Sequence, residues 1–234
     1  MENKFKIEEV RKFWDKVAND YDRLNEKVNR VHEQRFTEAV KYLELKNNDR
    51  VLNIWSRTGK AVPYLKKLAK INLYNLEVSH QMLKIAQKKY PKERFELTDL
   101  ERLPFSDNYF DAVLSLETLE HTPRPLQLLK EFQRALKKGK KLVMSLPPRT
   151  AEVPLRIYEA FFENHGEGPH RFLPSRRVKK MLSEAGLKLL LHKGTLLIPA
   201  GPKGLQALGE KVIEKMQKTP VRELGIRQFY VCQK

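Results

Sequence analysis

The sequence predicts an α/β fold, with a doubly wound, mostly parallel seven-stranded sheet and an N-terminal helical cap. Short apolar runs alternate with stretches whose apolar residues recur at helical spacing, a pattern typical of a parallel sheet with helices on both faces. The first apolar run leads into a turn that ends at Gly59, and helical spacing resumes after it. Because no Gly or Pro precedes Gly59 and no internal repeat is present, we expect one domain over residues 1–234.

The elements follow in order from the same periodicities. Residues 1–48 are expected to form the helical cap, since apolar residues recur near helical spacing over 5–45. A ligand-binding core is expected over 49–146. Its predicted strands are 50–54, 73–77, 94–97, 110–116 and 141–146, and its predicted helices are 60–70, 79–90 and 125–136.

The last part of the chain, 147–234, is expected to form a substrate-side lid and the C-terminal strands. Gly and Pro residues divide it into short elements. The predicted helices are 152–163, 175–185 and 205–217, and the predicted strands are 187–193 and 227–232.

Composition narrows the class of protein. The formal net charge is +17, and the basic residues concentrate in the second half. Such a surface favours an anionic partner, such as a phosphorylated substrate, nucleic acid or an acidic membrane surface, although a solvated lysine-rich face explains it equally well. One cysteine, Cys232, excludes an internal disulfide and fits a reducing compartment. No run of about 18 apolar residues occurs and the N-terminus is charged, so we expect a cytoplasmic protein.

The loop after the first strand indicates a ligand site. It reads Val51-Leu52-Asn53-Ile54-Trp55-Ser56-Arg57-Thr58-Gly59. In doubly wound sheets, ligands bind at the carboxyl ends of strands, and glycines in this first turn let a cofactor approach the backbone closely. Here Trp55 and Arg57 stand where two of those glycines are expected, and only Gly59 remains.

Four segments resemble the class I S-adenosyl-L-methionine (SAM) dependent methyltransferases, with a Rossmann-like fold. They are residues 13–22, 51–59, 76–83 and 99–120. The most specific is Leu103-Pro104-Phe105-Ser106-Asp107-Asn108-Tyr109-Phe110-Asp111, followed by Glu117-Thr118-Leu119-Glu120-His121. The similarity is greatest to the small-molecule branch of ubiquinone and menaquinone biosynthesis, and it covers about residues 13–186.

The resemblance implies SAM as the cofactor and suggests roles for the acids at strand ends. Glu77 would accept hydrogen bonds from the ribose hydroxyls, and Asp99 would accept from the adenine amino group. Val78 and Leu100 would form apolar walls for the adenine ring, and Glu117 would lie near the methionine end. The other expected cofactor-binding residues are Tyr21, Asn53, Trp55, Ser56, Arg57 and Gly59.

The altered glycine loop leaves two interpretations open. In the first, Arg57 pairs with the cofactor carboxylate in a charge-assisted hydrogen bond, while Trp55 packs beneath the loop or against the sulfonium. In the second, both side chains fill the pocket and catalysis has been lost. Because Glu77, Asp99 and Glu117 are all present, we favour retained SAM binding.

Methyl transfer requires an aligned nucleophile and often a general base, for which histidine is suited by its pKa near 6.5. The candidates are His121, after the fourth strand, and His165 and His170, in a loop after the fifth strand. Each of the three also has a structural interpretation as a hydrogen-bonded loop residue. His165, Glu167 and His170 have metal-ligand spacing but lack a fourth ligand, so we expect no metal site.

The sequence therefore predicts a SAM-dependent methyltransferase that acts on a small-molecule or lipid- or glycan-linked acceptor. Oxygen is the expected target atom, because a histidine base suits a hydroxyl, and transfer to carbon stays open. Two alternatives remain. The net charge of +17 supports an RNA methyltransferase, although Ser145-Leu146-Pro147-Pro148 lacks the motif of base-methylating enzymes. Trp55 and Arg57 support a catalytically silent binding module.

Overall fold

The computed structural model describes residues 2–26, 29–161, 164, 166–199 and 201–234. One sheet contains all seven named strands, in the order β3-β2-β1-β4-β5-β7-β6. Strand β7 runs antiparallel between β5 and β6, and the first five strands pair in parallel. The strands are β1 Arg50–Ile54, β2 Asn72–Glu77, β3 Arg94–Leu97, β4 Phe110–Leu116, β5 Leu136–Leu146, β6 Lys188–Thr195 and β7 Arg227–Gln233. The predicted fold class is confirmed.

Eight α-helices are assigned within the described ranges. They are α1 Ile7–Glu26, α2 Asn29–Val40, α3 Val62–Leu68, α4 His80–Lys89, α5 Pro125–Ala135, α6 Glu152–Phe161, α7 Ser175–Glu184 and α8 Lys203–Lys215. Neighbouring residues of β1 lie in different apolar cores, Val51 in one and Leu52 in the other, because successive side chains of a strand point to opposite faces. None of the described helices is both long and apolar enough to span a membrane.

The structure differs most from the prediction at β5. The strand begins at Leu136 rather than Lys141, because Leu136 already pairs with Phe110 of β4. The register then shifts before Ala112 pairs with Lys141, and Gly139 between them has a φ of 77°. Only a residue that tolerates the left-handed region fits there, so Gly139 allows the bend within the strand. The predicted start of this strand at residue 141 is therefore wrong.

The helical cap closes over the carboxyl ends of β1 and β2. Three of the polar contacts of helix α1 with this edge of the sheet come from residues along its length. Arg11 Nε donates to the Val78 carbonyl oxygen (3.0 Å), Ser79 Oγ donates to Asp15 (2.6 Å), and Thr58 Oγ1 donates to Asp22 (2.8 Å). We call these three pairs the cap latch. They hold α1 directly above the loop that follows β1.

Candidate active site

The loop after β1 has the left-handed backbone angles of a glycine-rich loop, although Trp55 and Arg57 stand where two glycines are expected. Trp55, Arg57 and Gly59 have φ values of 54°, 53° and 81°. In the left-handed region a residue with a side chain costs about 1–2 kcal/mol. Such conformations persist only where the surroundings enforce them, and they concentrate at functional sites. The loop therefore has left-handed backbone angles at Trp55 and Arg57, the positions where the sequence pattern predicts glycines.

The Arg57 side chain is clamped between two indoles. Its guanidinium carbon lies 3.8 Å from the centre of the Trp14 ring and 4.1 Å from that of Trp55. Nη2 donates to the Glu117 carbonyl oxygen at 3.3 Å, whereas Nη1 is buried with no hydrogen-bond partner within the described part of the chain. Cation–π contacts with buried rings contribute up to about 2 kcal/mol each. The contact with Trp14 joins the loop to the cap.

Glu77 lies at the end of β2, as predicted, and is completely buried. One carboxylate oxygen accepts from the Arg57 backbone N–H (2.6 Å) and the other from the Ser79 N–H (2.9 Å). Burial raises the pKa of Glu77, and the Arg57 guanidinium opposes that shift. The Val78 backbone N–H is a third donor to this carboxylate. An ionised carboxylate can accept about four hydrogen bonds, so about one acceptor position remains for a ligand.

The other predicted adenosine residues lie around the same edge. Val78 and Leu100 are fully buried, and Leu100 has a left-handed φ of 65°. Asp99 is exposed and accepts from the Glu101 backbone N–H at 2.9 Å. Asn53 is buried and donates to the Asn75 side chain across β1 and β2 at 2.9 Å. Their roles toward adenosine stay predictions.

Glu117 is held by two arginines that the sequence analysis missed. Arg35 of α2 bonds one of its carboxylate oxygens, and Arg227 Nε donates to the other at 2.8 Å. Burial favours the neutral acid, but the two guanidiniums outweigh it and hold the pKa of Glu117 well below its usual range. Its charge is therefore already paired. Tyr21, also buried, hydrogen bonds Arg35 and packs edge-on against Trp14 at 5.9 Å.

The candidate histidines differ in their surroundings. His121 is buried, with Nδ1 2.9 Å from the Pro169 carbonyl oxygen and its ring 5.2 Å from that of Trp55. Burial, assisted by the nearby Arg57 charge, lowers its pKa to about 3. The ring is neutral at neutral pH and is a weak base there.

His170 is half-buried and lies on the outer side of His121, with the two rings 6.1 Å apart. Its Nδ1 lies 2.8 Å from the Gly168 carbonyl oxygen, which indicates an N–H donor at that position. Its Nε2 lies 4.0 Å from a carboxylate oxygen of Glu152. The third candidate, His165, lies outside the described residues. Within those residues, no group of three or more His, Cys, Asp or Glu side chains is arranged to hold a metal ion.

Comparison with known proteins agrees with this architecture. Residues 52–144 match the model of a methyltransferase domain. A demethylmenaquinone methyltransferase of Thermotoga maritima is 30% identical over 156 residues, covering 65% of this chain and 68% of the relative. The chain belongs to the class I SAM-dependent methyltransferases of the menaquinone and ubiquinone type. The predicted family, enzyme class and cofactor are confirmed.

Solved methyltransferase structures share the fold over most of their length. A putative methyltransferase from Haloferax volcanii, in complex with the Trm112 activator, superposes with a TM-score of 0.73 at 19% identity, covering 94% of this chain and 96% of that one. A SAM-dependent methyltransferase from Thermotoga maritima, titled a possible histamine N-methyltransferase, gives 0.68 at 23% identity, with 95% and 98% covered. At these identities the similarity concerns the fold alone.

The donors in the loop fit the methionine end of SAM. Trp55 Nε1, Ser56 Oγ and Arg57 Nη1 are buried and have no hydrogen-bond partner among the residues described. Buried donors of this kind are costly unless an acceptor reaches them, and a carboxylate would satisfy them.

The available space fits the cofactor less well. The cavity lined by these three residues, Tyr21 and Arg35 has a volume of about 20 Å³, which holds about one water molecule. Small-molecule sites usually measure about 300–1,000 Å³. The chemistry of this cavity fits the methionine end of the cofactor, and seating that end here would require the cap and the two indoles to move apart.

Proposed function

We propose that this chain transfers the methyl group of SAM to an oxygen atom of a small-molecule or lipid-linked acceptor. The observation that carries the proposal is the set of unpartnered buried donors on Trp55, Ser56 and Arg57, on a loop that keeps glycine-type backbone angles. Relatives named demethylmenaquinone methyltransferase support a small-molecule acceptor. The basic chain, with a net charge of +17, suits one that bears negative charge.

In this proposal Arg57 Nη1 binds the cofactor carboxylate, while Glu77 accepts from a ribose hydroxyl with its remaining acceptor capacity. Val78 and Leu100 enclose the adenine ring. Asp99 lies at the rim of the site and turns inward to accept from the adenine amino group. Bound SAM supplies an electrophilic methyl group on a sulfonium, and the protein holds the acceptor in line with it.

Among the described histidines, His170 is the proposed general base. The low pKa of His121, about 3, makes that ring a poor proton acceptor at neutral pH. His170 directs its Nδ1 to a carbonyl oxygen, which leaves Nε2 to accept the hydroxyl proton as the oxygen–methyl bond forms. Glu152, 4.0 Å from Nε2, would stabilise the resulting imidazolium. His121 and the Trp55 indole would form the wall between cofactor and acceptor.

Thermal unfolding with and without S-adenosylhomocysteine tests cofactor binding without an acceptor. Ligand at a hundred times its Kd adds about 2.7 kcal/mol, which corresponds to roughly 5–10 °C for a chain of this size. The absence of any shift at millimolar ligand would refute the proposal and favour the silent binding module.

Formation of S-adenosylhomocysteine with a panel of phenols, quinols and prenylated quinols then tests the acceptor class. His170→Gln should lower kcat on a hydroxyl acceptor by about 10²–10⁴-fold and leave cofactor affinity unchanged. Equal turnover would refute the proposed base, and product methylated at carbon would replace the oxygen assignment.

RNA methylation remains the second candidate because of the net charge of +17. Electrostatic binding to RNA falls steeply as salt is added, whereas turnover of a small acceptor does not. Methyl transfer to RNA that is lost between 50 and 200 mM salt would favour this candidate over the first.

A further inference from the structure

Helix α6 carries an apolar stripe that faces solvent. Val153, Ile157 and Phe161 are 65%, 57% and 79% exposed. Because they are spaced four residues apart, their side chains follow one another along a single face of the helix. A monomeric protein normally buries such a face, and contiguous exposed apolar surface marks an interaction site.

Helix α8 presents a second stripe of the same kind. Leu205, Leu208 and Val212 are 50%, 54% and 36% exposed, whereas Gly209 and Ile213, on the neighbouring face of the helix, are buried. The buried face packs onto the body of the protein, since a Cβ on Gly209 would lie 2.9 Å from the Ile198 side chain. The outward face is therefore a fixed surface rather than an unpacked core.

Both helices lie at the edge of the sheet that carries the active site. Helix α6 follows the carboxyl end of β5, and α8 lies between the carboxyl end of β6 and the start of β7. Thr150, just before α6, donates to the Glu223 carbonyl oxygen at 2.8 Å. Glu223 belongs to a short 3-10 turn after α8 whose last residue, Leu224, is 56% exposed. We call α6, Leu224 and α8 the apolar rim.

Basic side chains accompany the apolar rim, and they indicate its occupant. Exposed bases on or beside the two helices are Arg149, Arg156, Lys203, Lys211 and Lys215. On α8 the exposed bases outnumber the exposed acids, whereas on α6 Arg156 pairs with Glu152 at 2.8 Å. The whole chain carries a net charge of +17. Apolar residues on one side of a helix with lysine and arginine nearby are typical of helices that lie in a membrane interface, where each base near anionic lipid adds to the attraction.

We propose that the apolar rim docks on the surface of an anionic lipid bilayer and inserts its leucine, isoleucine and phenylalanine side chains at the level of the headgroups. Two separate helical ridges, rather than one groove, suit a flat fluid surface better than a single folded partner. Docking in this orientation turns the acceptor side of the site toward the lipid. The proposal needs no bound cofactor, so it can fail while methyl transfer stands, and the reverse.

Sedimentation with phosphatidylglycerol–phosphatidylcholine vesicles tests the docking. The wild-type chain should bind these vesicles, and pure phosphatidylcholine should bind it at least about tenfold less. A double change, Ile157→Glu with Leu208→Glu, should reduce binding to the anionic vesicles by about tenfold or more. The matched control is Leu68→Glu, since Leu68 is 45% exposed at the opposite edge of the sheet, and it should bind like wild type.

Two further measurements distinguish a lipid surface from a second copy of the chain as the occupant of the apolar rim. Phe161→Trp should show a blue-shifted emission component with anionic vesicles, because the new indole enters the headgroup region. Light scattering without lipid should give a monomer for wild type and for the double variant. A wild-type dimer that the double variant abolishes would make a second copy the occupant and overturn the proposal. Equal vesicle binding by wild type and double variant would also overturn it, since adsorption would then be electrostatic only.

Discussion

Arg57 provides the most direct test of the cofactor site, because Arg57→Gly and Arg57→Ala remove the same guanidinium but differ in the backbone. If Nη1 binds the cofactor carboxylate, losing that charge-assisted bond should cost about 1.5–3 kcal/mol, or roughly a 10- to 150-fold increase in Kd. The two variants should also differ in stability. Alanine must keep the φ of 53° that glycine adopts without strain, so the glycine variant should be about 1 kcal/mol more stable.

Isothermal titration with S-adenosylhomocysteine and thermal unfolding measure these two effects separately. We expect weaker binding in both variants and an unfolding midpoint about 2–4 °C higher for Arg57→Gly than for Arg57→Ala. If Arg57 instead occupies the place of the carboxylate, removing it enlarges the 20 Å³ cavity and both variants bind more tightly than wild type. Tighter binding would refute the assigned role, and equal midpoints would refute the strain argument.

Three further variants examine the rest of the site. Glu77→Ala should weaken S-adenosylhomocysteine binding by tenfold or more, and calorimetry showing unchanged affinity would contradict the ribose role. His121 stays neutral when folded, with a pKa of about 3, but is protonated below about 6.5 when unfolded, so it should cost up to about 1.4 kcal/mol of stability per pH unit as pH falls from 6 toward 4. Burial also lowers the pKa of His32 and of His192, so thermal scans of His121→Gln should show a shallower loss than wild type by that amount, and equal slopes would contradict the assignment. Asp15→Ala breaks part of the cap latch and should accelerate S-adenosylhomocysteine association in stopped-flow experiments, whereas Asp20→Ala, on the exposed side of α1, should not.

The central strands followed directly from sequence because each is a short apolar run bounded by turn residues. Strands β1, β3 and β4 have the predicted limits. The start of β5 did not follow, since residues 136–140 read Leu-Lys-Lys-Gly-Lys and their strand conformation depends on pairing with β4. Pairing between strands is a tertiary property that local composition reports poorly.

The acids of the site were predictable because a strand end is a local feature, and Glu77 and Glu117 occupy such ends. Their partners were not predictable. Arg35 and Arg227 lie near opposite ends of the chain and come together at Glu117, so no spacing in the sequence relates them. Trp14 lay within a segment that carried the family resemblance, but its contact with Arg57 requires the cap to fold over the loop.

The contacts of Trp55 and Arg57 with the helical cap explain why these two bulky residues stand in the loop. A glycine loop leaves its backbone open to the cofactor, whereas here Arg57 bridges the loop to Trp14 on α1. The closed cap uses the face of the guanidinium, and in the proposed site the cofactor uses its free Nη1, so the cap must move to admit the cofactor but the group serves both states. A site whose open state is a minor fraction of the population binds with an affinity reduced by that fraction. Breaking the latch should raise that fraction, whereas removing Arg57 takes away the group that both states use. The proposed site thus couples cofactor affinity to movement of its N-terminal cap.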